Sequence, residues 1–276
     1  MSEGNPIGAC KIIAEFTSNH LGDERIMTAM LQEAKRVGVN IVKFQSWQAD
    51  RLRPDFPDYA ATYQRHKGAE LSDAQHHRLV QQCRECGLEF LTTCFDIQRV
   101  DFLASLGLTT IKVASPDANS WALLDRLMAK FSTVIISTGL IEPEELEELM
   151  RRVDRQKVVL LHCISLYPTP LEEVNLSRME YIRSQGFRAG FSDHTEGPEA
   201  AMLAIARGAE LVEKHFTLSR ALPGKDQRMS ATPEVFEAIC RWRDQVRLMM
   251  GRPARPLTTA EREIRALYVG KWGNNR

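Results

Sequence analysis

The chain has 276 residues, 43 % hydrophobic and 26 % charged, a balance that excludes disorder, collagen-like repeats and low complexity. Lys+Arg and Asp+Glu each number 36, so no excess positive charge is available for a nucleic-acid footprint. No apolar run approaches the roughly 18 residues of a membrane span, and Met1–Gly8 has neither the basic nor the apolar region of a secretory signal, so a soluble, cytoplasmic protein is expected.

Short β-branched apolar runs alternate with amphipathic stretches from one end to the other. Strands are expected at Lys11–Phe16, Asn40–Gln45, Leu88–Thr93, Thr109–Ala114, Thr133–Ser137, Val158–Cys163, Phe187–Phe191 and Glu210–His215. Helical patterns lie at about 24–37, 72–86, 96–105, 120–130, 142–153, 176–185, 197–207 and 232–249. Start signals include Ser72 and Thr232-Pro233, and Gly38, Gly87, Gly107 and Gly208 stand at helix ends. Strands apolar along their whole length suit a sheet covered on both faces.

Strict alternation of eight such units is the arithmetic of a (β/α)8 TIM barrel, a single domain over 1–250 with a C-terminal extension at 251–276. A doubly wound sheet is the competing topology, but no Gly-x-Gly-x-x-Gly follows the first strand. Two connections are long, Ser46–Leu71 and Phe216–Ala231, and long connections in compact domains commonly bind or cover ligands. The six cysteines read as reduced thiols, since one isolated Cys83-x-x-Cys86 is weak support for zinc or redox chemistry.

Active sites of such barrels form at the carboxyl ends of the strands. Those ends carry Glu15, Lys43, Gln45, Thr92, Thr93, Lys112, Ser115, Ser137, Thr138, His162, Ser192, Asp193, His194, Glu213 and His215. Any one is readily a satisfied strand-end group. A whole ring is not, because uncompensated buried charge costs several kcal/mol. His194 and His215 end adjacent strands and suit one divalent ion with open positions. Lys43 and Lys112 supply fixed positive charge, and Ser137-Thr138-Gly139 offers hydroxyls and backbone N–H groups to a phosphate or carboxylate. The combination describes a site for an anionic substrate.

The segments Ile13–Gly22, Val42–Gln45, Phe90–Asp96, Ile111–Ser115, Ile136–Gly139, Leu161–Pro170, Phe191–Thr195 and Val212–Thr217 together resemble the N-acetylneuraminate (sialic acid) synthase family, in order over residues 11–250. The resemblance implies metal-dependent condensation of phosphoenolpyruvate with the aldehyde of an N-acylated hexosamine, giving a 2-keto-3-deoxy sugar acid and phosphate. By the same resemblance Glu15 is the carboxylate that handles the proton. His194 and His215 are the ligands of Mn²⁺ or Mg²⁺, and Lys43, Gln45, Thr93, Lys112, Ser115, Ser137 and Ser192 cradle phosphoenolpyruvate. Tyr167, Asp226 and Glu213 contact the sugar or its metal, and the assembly is a homodimer. The chain departs from the family pattern at Cys94, where Pro is usual, and at Pro116-Asp117, where Gly-Glu is usual. The small antifreeze-like domain that follows the barrel in full-length synthases has no counterpart before Arg276. With that domain lacking, the two long connections are expected to close the sugar side through Arg51, Arg53, Tyr59, Tyr63, Arg65 and Asp226, on an acceptor smaller or more acidic than N-acetylmannosamine.

Two other readings compete. One is an aldolase or lyase forming a Schiff base through Lys43 or Lys112, and the other a barrel that binds a sugar acid without turnover. His66, His76 and His77 read as solvated, His162 as a polar contact at the mouth, and the tryptophans as packing. Trp47, directly after the Lys43/Gln45 strand, is the one tryptophan placed to do more.

Overall fold

The computed structural model describes residues 10–251 and 254–273. Met1–Gly8, the outer limits of the 1–250 and 251–276 boundaries, and residues 252–253 lie outside that range. Eight strands form one closed parallel barrel in sequence order: β1 (Lys11–Glu15), β2 (Ile41–Ser46), β3 (Glu89–Cys94), β4 (Thr110–Val113), β5 (Thr133–Ser137), β6 (Val158–Cys163), β7 (Arg188–Asp193) and β8 (Leu211–His215). The expected (β/α)8 TIM barrel is the observed fold, and β1 closes on β8 through pairs such as Glu15 with His215.

The helices between the strands are α1 (Glu24–Arg36), α2 (Tyr59–Ala69), α3 (Asp73–Cys86), α4 (Val100–Ser105), α5 (Trp121–Lys130), α6 (Pro143–Arg152), α7 (Ser177–Ser184) and α8 (Glu199–Ala206); α9 (Pro233–Met250) and α10 (Thr259–Tyr268) follow β8. Local chemistry explains their limits. Ser72 and Gln75 cap α3 reciprocally, and Gly87 ends it in the left-handed region at φ +72°. Asp23 accepts the Arg25 N–H at the start of α1. Helix α2 was not expected, since it falls inside the long Ser46–Leu71 connection and no apolar stripe announces it. Only Thr62 and Ala69 of α2 are buried.

The period-2 alternation of each strand sorts the side chains into two sets. Ile13, Ile41, Leu91, Ile135, Val159, Leu161 and Leu211 point inward and plug the barrel floor. Their neighbours, such as Ile12, Ala14, Val42, Phe44, Ile136 and Val212, point outward into the larger core against the helices. At Gly190 on β7 any Cβ would collide with the Leu211 carbonyl and sit 2.7 Å from the Leu161 side chain, so the floor closes only around a glycine. One turn above this plug the inward positions become polar, and there the site begins. Among the described residues no helix is long and apolar enough to cross a membrane.

Candidate active site

Continuing the inward register past the plug gives Glu15, Lys43, Gln45, Thr93, Lys112, Ser137, Ser192, Glu213 and His215, with His194 in step just beyond β7. These line one cavity of about 330 Å³, together with Ser115 and Tyr167. Twelve of the thirteen residues to which the family resemblance gives a role therefore meet in one place. The thirteenth, Asp226, lines an adjoining cavity of about 180 Å³ that shares Gln45. Asp226 joins the first group through Thr17, whose hydroxyl donates to Asp226 Oδ2 at 2.6 Å while its backbone N–H donates to Glu15 Oε1 at 2.9 Å. Thr17 does this from a left-handed backbone, φ +42°, a conformation that costs energy for a β-branched residue and concentrates at functional sites.

The same register overturns part of the expected ring. Thr92, Thr138, His162 and Asp193 lie one residue out of step and face away from the barrel interior. Thr138 donates to the Leu161 carbonyl, His162 Nε2 meets the Val174 carbonyl at 2.7 Å, and Asp193 pairs with Lys214 at 2.7 Å. These three hold the scaffold, and none of the four lines the cavity. Asp117 is likewise turned to Ser120, which donates to it at 3.0 Å. Conversely Cys163, read from the sequence as structural, lines the cavity, with its Sγ 3.7 Å from His194 Nδ1. Its place at the inward end of β6 was the signal. His76 is wholly buried, not solvated, with Nδ1 3.0 Å from the Ser72 carbonyl.

Electrostatically the floor of the cavity is a chain of alternating charges. Lys43 Nζ lies 3.0 Å from Glu15 Oε2 and 2.9 Å from Glu213 Oε2, all three nearly sealed from solvent. Gln45 Nε2 donates to Glu15 Oε1 at 2.7 Å, and Ser192 donates to Glu213 Oε1 at 3.0 Å. Burial raises Glu15 to about 7 despite Lys43, with the Glu213 charge adding to the rise. Burial opposes ionisation of Glu213 too, but Lys112 and Lys43 overcome it and hold that carboxyl at about 2. Burial also brings Lys112 down to about 8, and its ammonium donates to Ser137 Oγ at 2.6 Å and the Val113 carbonyl at 2.8 Å. One carboxyl is thus poised to exchange a proton near neutral pH while its neighbour stays charged.

Beside these groups Gly139 donates its N–H to Ser115 Oγ at 3.0 Å, and a Cβ there would meet Ser165, Cys163 and Ser115 within 3.1 Å. That close backbone approach leaves a hydroxyl-lined cradle for an anion. Opposite stand two imidazoles, His194 and His215, with centroids 5.2 Å apart and Tyr167 4.2 Å from the His194 ring. His194 Nδ1 faces the Ile164 carbonyl at 2.8 Å, which fixes the orientation of that ring; burial opposes its charge, but Cys163 beside it outweighs burial and raises the ring above the ordinary imidazole value. His215 Nδ1 is buried without a hydrogen-bond partner, and burial together with the His194 charge lowers the ring to about 3, so it is neutral. An orphan nitrogen on a neutral ring beside a second oriented imidazole fits a divalent cation. Among the described residues no group of three or more His, Cys, Asp or Glu forms a closed metal cage.

Residues 30–255 match the NeuB family. The chain belongs to the NeuB family. Within it, the chain is 33 % identical over 280 residues to the N,N'-diacetyllegionaminic acid synthase of Legionella pneumophila, covering 94 % of this chain and 78 % of that one. The protein of the same description from Campylobacter jejuni is 31 % identical over 271 residues, covering 91 % and 80 %. Among solved structures, the N-acetylneuraminic acid synthetase of Leptospira borgpetersenii in complex with citrate superposes with a TM-score of 0.85 at 29 % identity, over 98 % of this chain and 94 % of that one. The NeuB-family chemistry is the phosphoenolpyruvate-dependent condensation with a sugar aldehyde to a 2-keto-3-deoxy sugar acid, and this NeuB-family barrel is a synthase of that kind.

Proposed function

We propose that this barrel joins C3 of phosphoenolpyruvate to the open-chain aldehyde carbon of an N-acylated hexosamine. A water adds at C2 and phosphate departs, leaving a 2-keto-3-deoxy acid. The reading is carried by one observation: Glu15, Lys43, Lys112 and Glu213 converge with the imidazoles of His194 and His215 on a single cavity. In this reading Lys43, Lys112 and the hydroxyls of Thr93, Ser115, Ser137 and Ser192 bind the carboxylate and phosphate of phosphoenolpyruvate, with Gln45 beside them. Glu15 holds and returns the proton that moves as C2 gains and loses charge, which a carboxyl near pH 7 does well. His194 and His215 would hold Mn²⁺ or Mg²⁺, with Glu213 beside it; bound there, the ion polarises the aldehyde. Tyr167 and Asp226 contact the acceptor. Most of the rate gain comes from fixing two substrates and neutralising the departing phosphate.

Lys112, brought to about 8, favours one other reading, a Schiff-base lyase, whereas Lys43 is held as an ammonium by two carboxylates. Phosphate release is measured with phosphoenolpyruvate, Mn²⁺ and a panel of aldoses, with mass spectrometry of the product. Chelator-sensitive release with an N-acylhexosamine supports the synthase. Covalent trapping of protein by borohydride and substrate, without phosphate release, overturns it.

A further inference from the structure

Buried polar side chains join the loop after β1 to the loop after β8. Asn19 Nδ2 donates to the Phe216 carbonyl at 2.8 Å and to Ser230 Oγ at 2.9 Å. Gln227 Nε2 donates to the Asn19 carbonyl at 3.0 Å, and Ser230 Oγ donates to the Asp226 carbonyl at 2.6 Å. Asn19, Gln227 and Ser230 are all buried, so the backbone that carries Asp226 is clamped to the β1 side. The Asp226 carboxylate is half-buried and is held differently. Its Oδ2 accepts from the Thr17 hydroxyl at 2.6 Å, with Ser18 Oγ farther off at 3.4 Å, and among the described residues nothing donates to Oδ1. The Thr17 hydroxyl accepts the Ser18 N–H, which turns its own proton toward Asp226. Since the Thr17 N–H also holds Glu15 Oε1, one residue bridges the carboxylates of Glu15 and Asp226. It does so at φ +42°, where glycine or asparagine sits with less strain but supplies no hydroxyl.

We infer that Thr17 is a positioning residue: its hydroxyl sets the Asp226 carboxylate, and with it the acceptor sugar, at a fixed place relative to Glu15. This inference rests on the reading that Asp226 contacts the acceptor and Glu15 handles the proton. A bond that only braced the loop would be redundant with those of Asn19, Gln227 and Ser230. The clamped backbone still leaves the Asp226 side chain free to turn about its own torsions, and the Thr17 bond removes that freedom. With Oδ2 engaged, Oδ1 is the oxygen left to accept a sugar hydroxyl in the cavity of about 180 Å³ that Thr17, Gln45 and Asp226 line. Two reactants must be held to a fraction of an ångström, and a misplacement of about 1 Å can cost about 10²-fold in rate. Thr17 acts through the carboxylate and not on the reacting atoms. The strained backbone is kept for the hydroxyl it aims.

The test is a double-mutant cycle read as phosphate release from phosphoenolpyruvate with Mn²⁺ and the aldose of the panel that the wild type turns over fastest. Thr17→Val removes the hydroxyl and keeps the branched shape. It lowers kcat/KM for the sugar by about tenfold or more, with KM for phosphoenolpyruvate unchanged. Thr17→Ser, which keeps the hydroxyl, stays within about twofold of the wild type. In an Asp226→Ala background Thr17→Val costs less than about twofold, because a residue acting through Asp226 has nothing left to act on. Loss of the Ser18 N–H partner, or a general loosening of the loop, would cost the same in both backgrounds. Equal losses in the two backgrounds, or a rise in KM for phosphoenolpyruvate, overturn the inference. Thr17→Gly removes hydroxyl and strain together, and takes the place of Thr17→Val in the cycle should that variant not fold. Crystals of Thr17→Gly give a readout without turnover. The Asp226 carboxylate is expected to leave its place by more than about 0.5 Å while the backbone of 216–231 stays; a carboxylate that has not moved overturns the inference. If no aldose releases phosphate, the synthase reading fails, and the crystals still decide whether Thr17 sets Asp226.

Discussion

Replacing Glu15 by Gln separates the chemistry of this site from its stability. The side chain keeps its shape, and the amide oxygen still accepts from Thr17 N–H and Gln45 Nε2. What is lost is the charge beside Lys43 and the exchangeable proton. Loss of a general acid–base group typically costs about 10²–10⁴-fold in rate. Stability moves the other way. Burial raises Glu15 from the ordinary 4.5 to about 7. Below pH 4.5 the carboxyl is protonated in folded and unfolded chains alike, and Gln imitates it. Between 4.5 and about 7 the unfolded chain sheds a proton that the folded one retains, so wild-type stability falls as pH rises; above that the loss is complete. At ~1.4 kcal/mol for each pH unit, the interval amounts to about 3 kcal/mol. Relative to the wild type, Glu15→Gln is therefore expected to gain roughly 6–12 °C in Tm between pH 4.5 and pH 8 for a chain of this size, on top of a pH-independent cost from its amide NH2, which faces Lys43 Nζ in place of Oε2. Calorimetry at both pH values and phosphate release check the two halves. A Tm difference that does not move in the variant's favour from pH 4.5 to pH 8, or a variant keeping more than about a tenth of the rate, refutes the reasoning.

His194→Ala and His215→Ala each weaken Mn²⁺ binding by at least about 100-fold in titration calorimetry; unchanged affinity in either removes that histidine from the metal site. Lys112 is brought to about 8, chiefly by burial, so kcat/KM for phosphoenolpyruvate declines as pH rises through that value. Lys112→Arg abolishes the alkaline limb, and a limb that persists assigns it elsewhere. Lys214→Met strands the buried Asp193 carboxylate and lowers unfolding stability by about 3–5 kcal/mol, read as a shift in denaturant midpoint. No shift would mean that Asp193 finds another partner.

The alternation of strands and helices was legible because apolar runs and capping residues agreed along the whole chain, and the structure follows those spans to within about two residues, except that α4 begins at Val100 after a 3-10 turn at Ile97–Arg99 in place of a helix from 96. Helix α2 was not, because its pattern of Tyr59, Ala60, Ala61, Thr62 and Tyr63 offers no stripe for the core, and only Thr62 and Ala69 are buried. The ring was read too broadly for a different reason. Thr92 with Thr93, Ser137 with Thr138, and Ser192 with Asp193 are polar neighbours at strand ends, and type alone cannot say which faces in. Counting by twos from the floor residues Ile13, Ile41, Leu91, Ile135, Leu161 and Leu211, and from Gly190 on β7, would have sorted them and exposed Cys163. His76 was legible in the same way, since it shares a helical stripe with Leu79 and Cys83. Of the residues assigned to closing loops, Arg51 and Arg65 face cavities, whereas Arg53 pairs with Asp55 at 3.7 Å and Tyr63 donates to Asp50 at 2.6 Å.

Strands β7 and β8 carry two polar couples back to back, Ser192 with Glu213 inside the barrel and Asp193 with Lys214 outside it. The two couples are one residue apart on each strand. A single inserted or deleted residue in β8 would therefore exchange their offices, bringing Lys214 under the substrate and sending Glu213 and His215 into the apolar layer beneath the helices. Glu213 and Lys214 cannot trade places without emptying the site and breaking the wall together. The strand thus behaves like a reading frame: point substitutions alter one letter, but a shift in length rewrites every position after it. The connections above the strands carry no such constraint: Ser46–Leu71 accommodates a helix without disturbing the phase of β3.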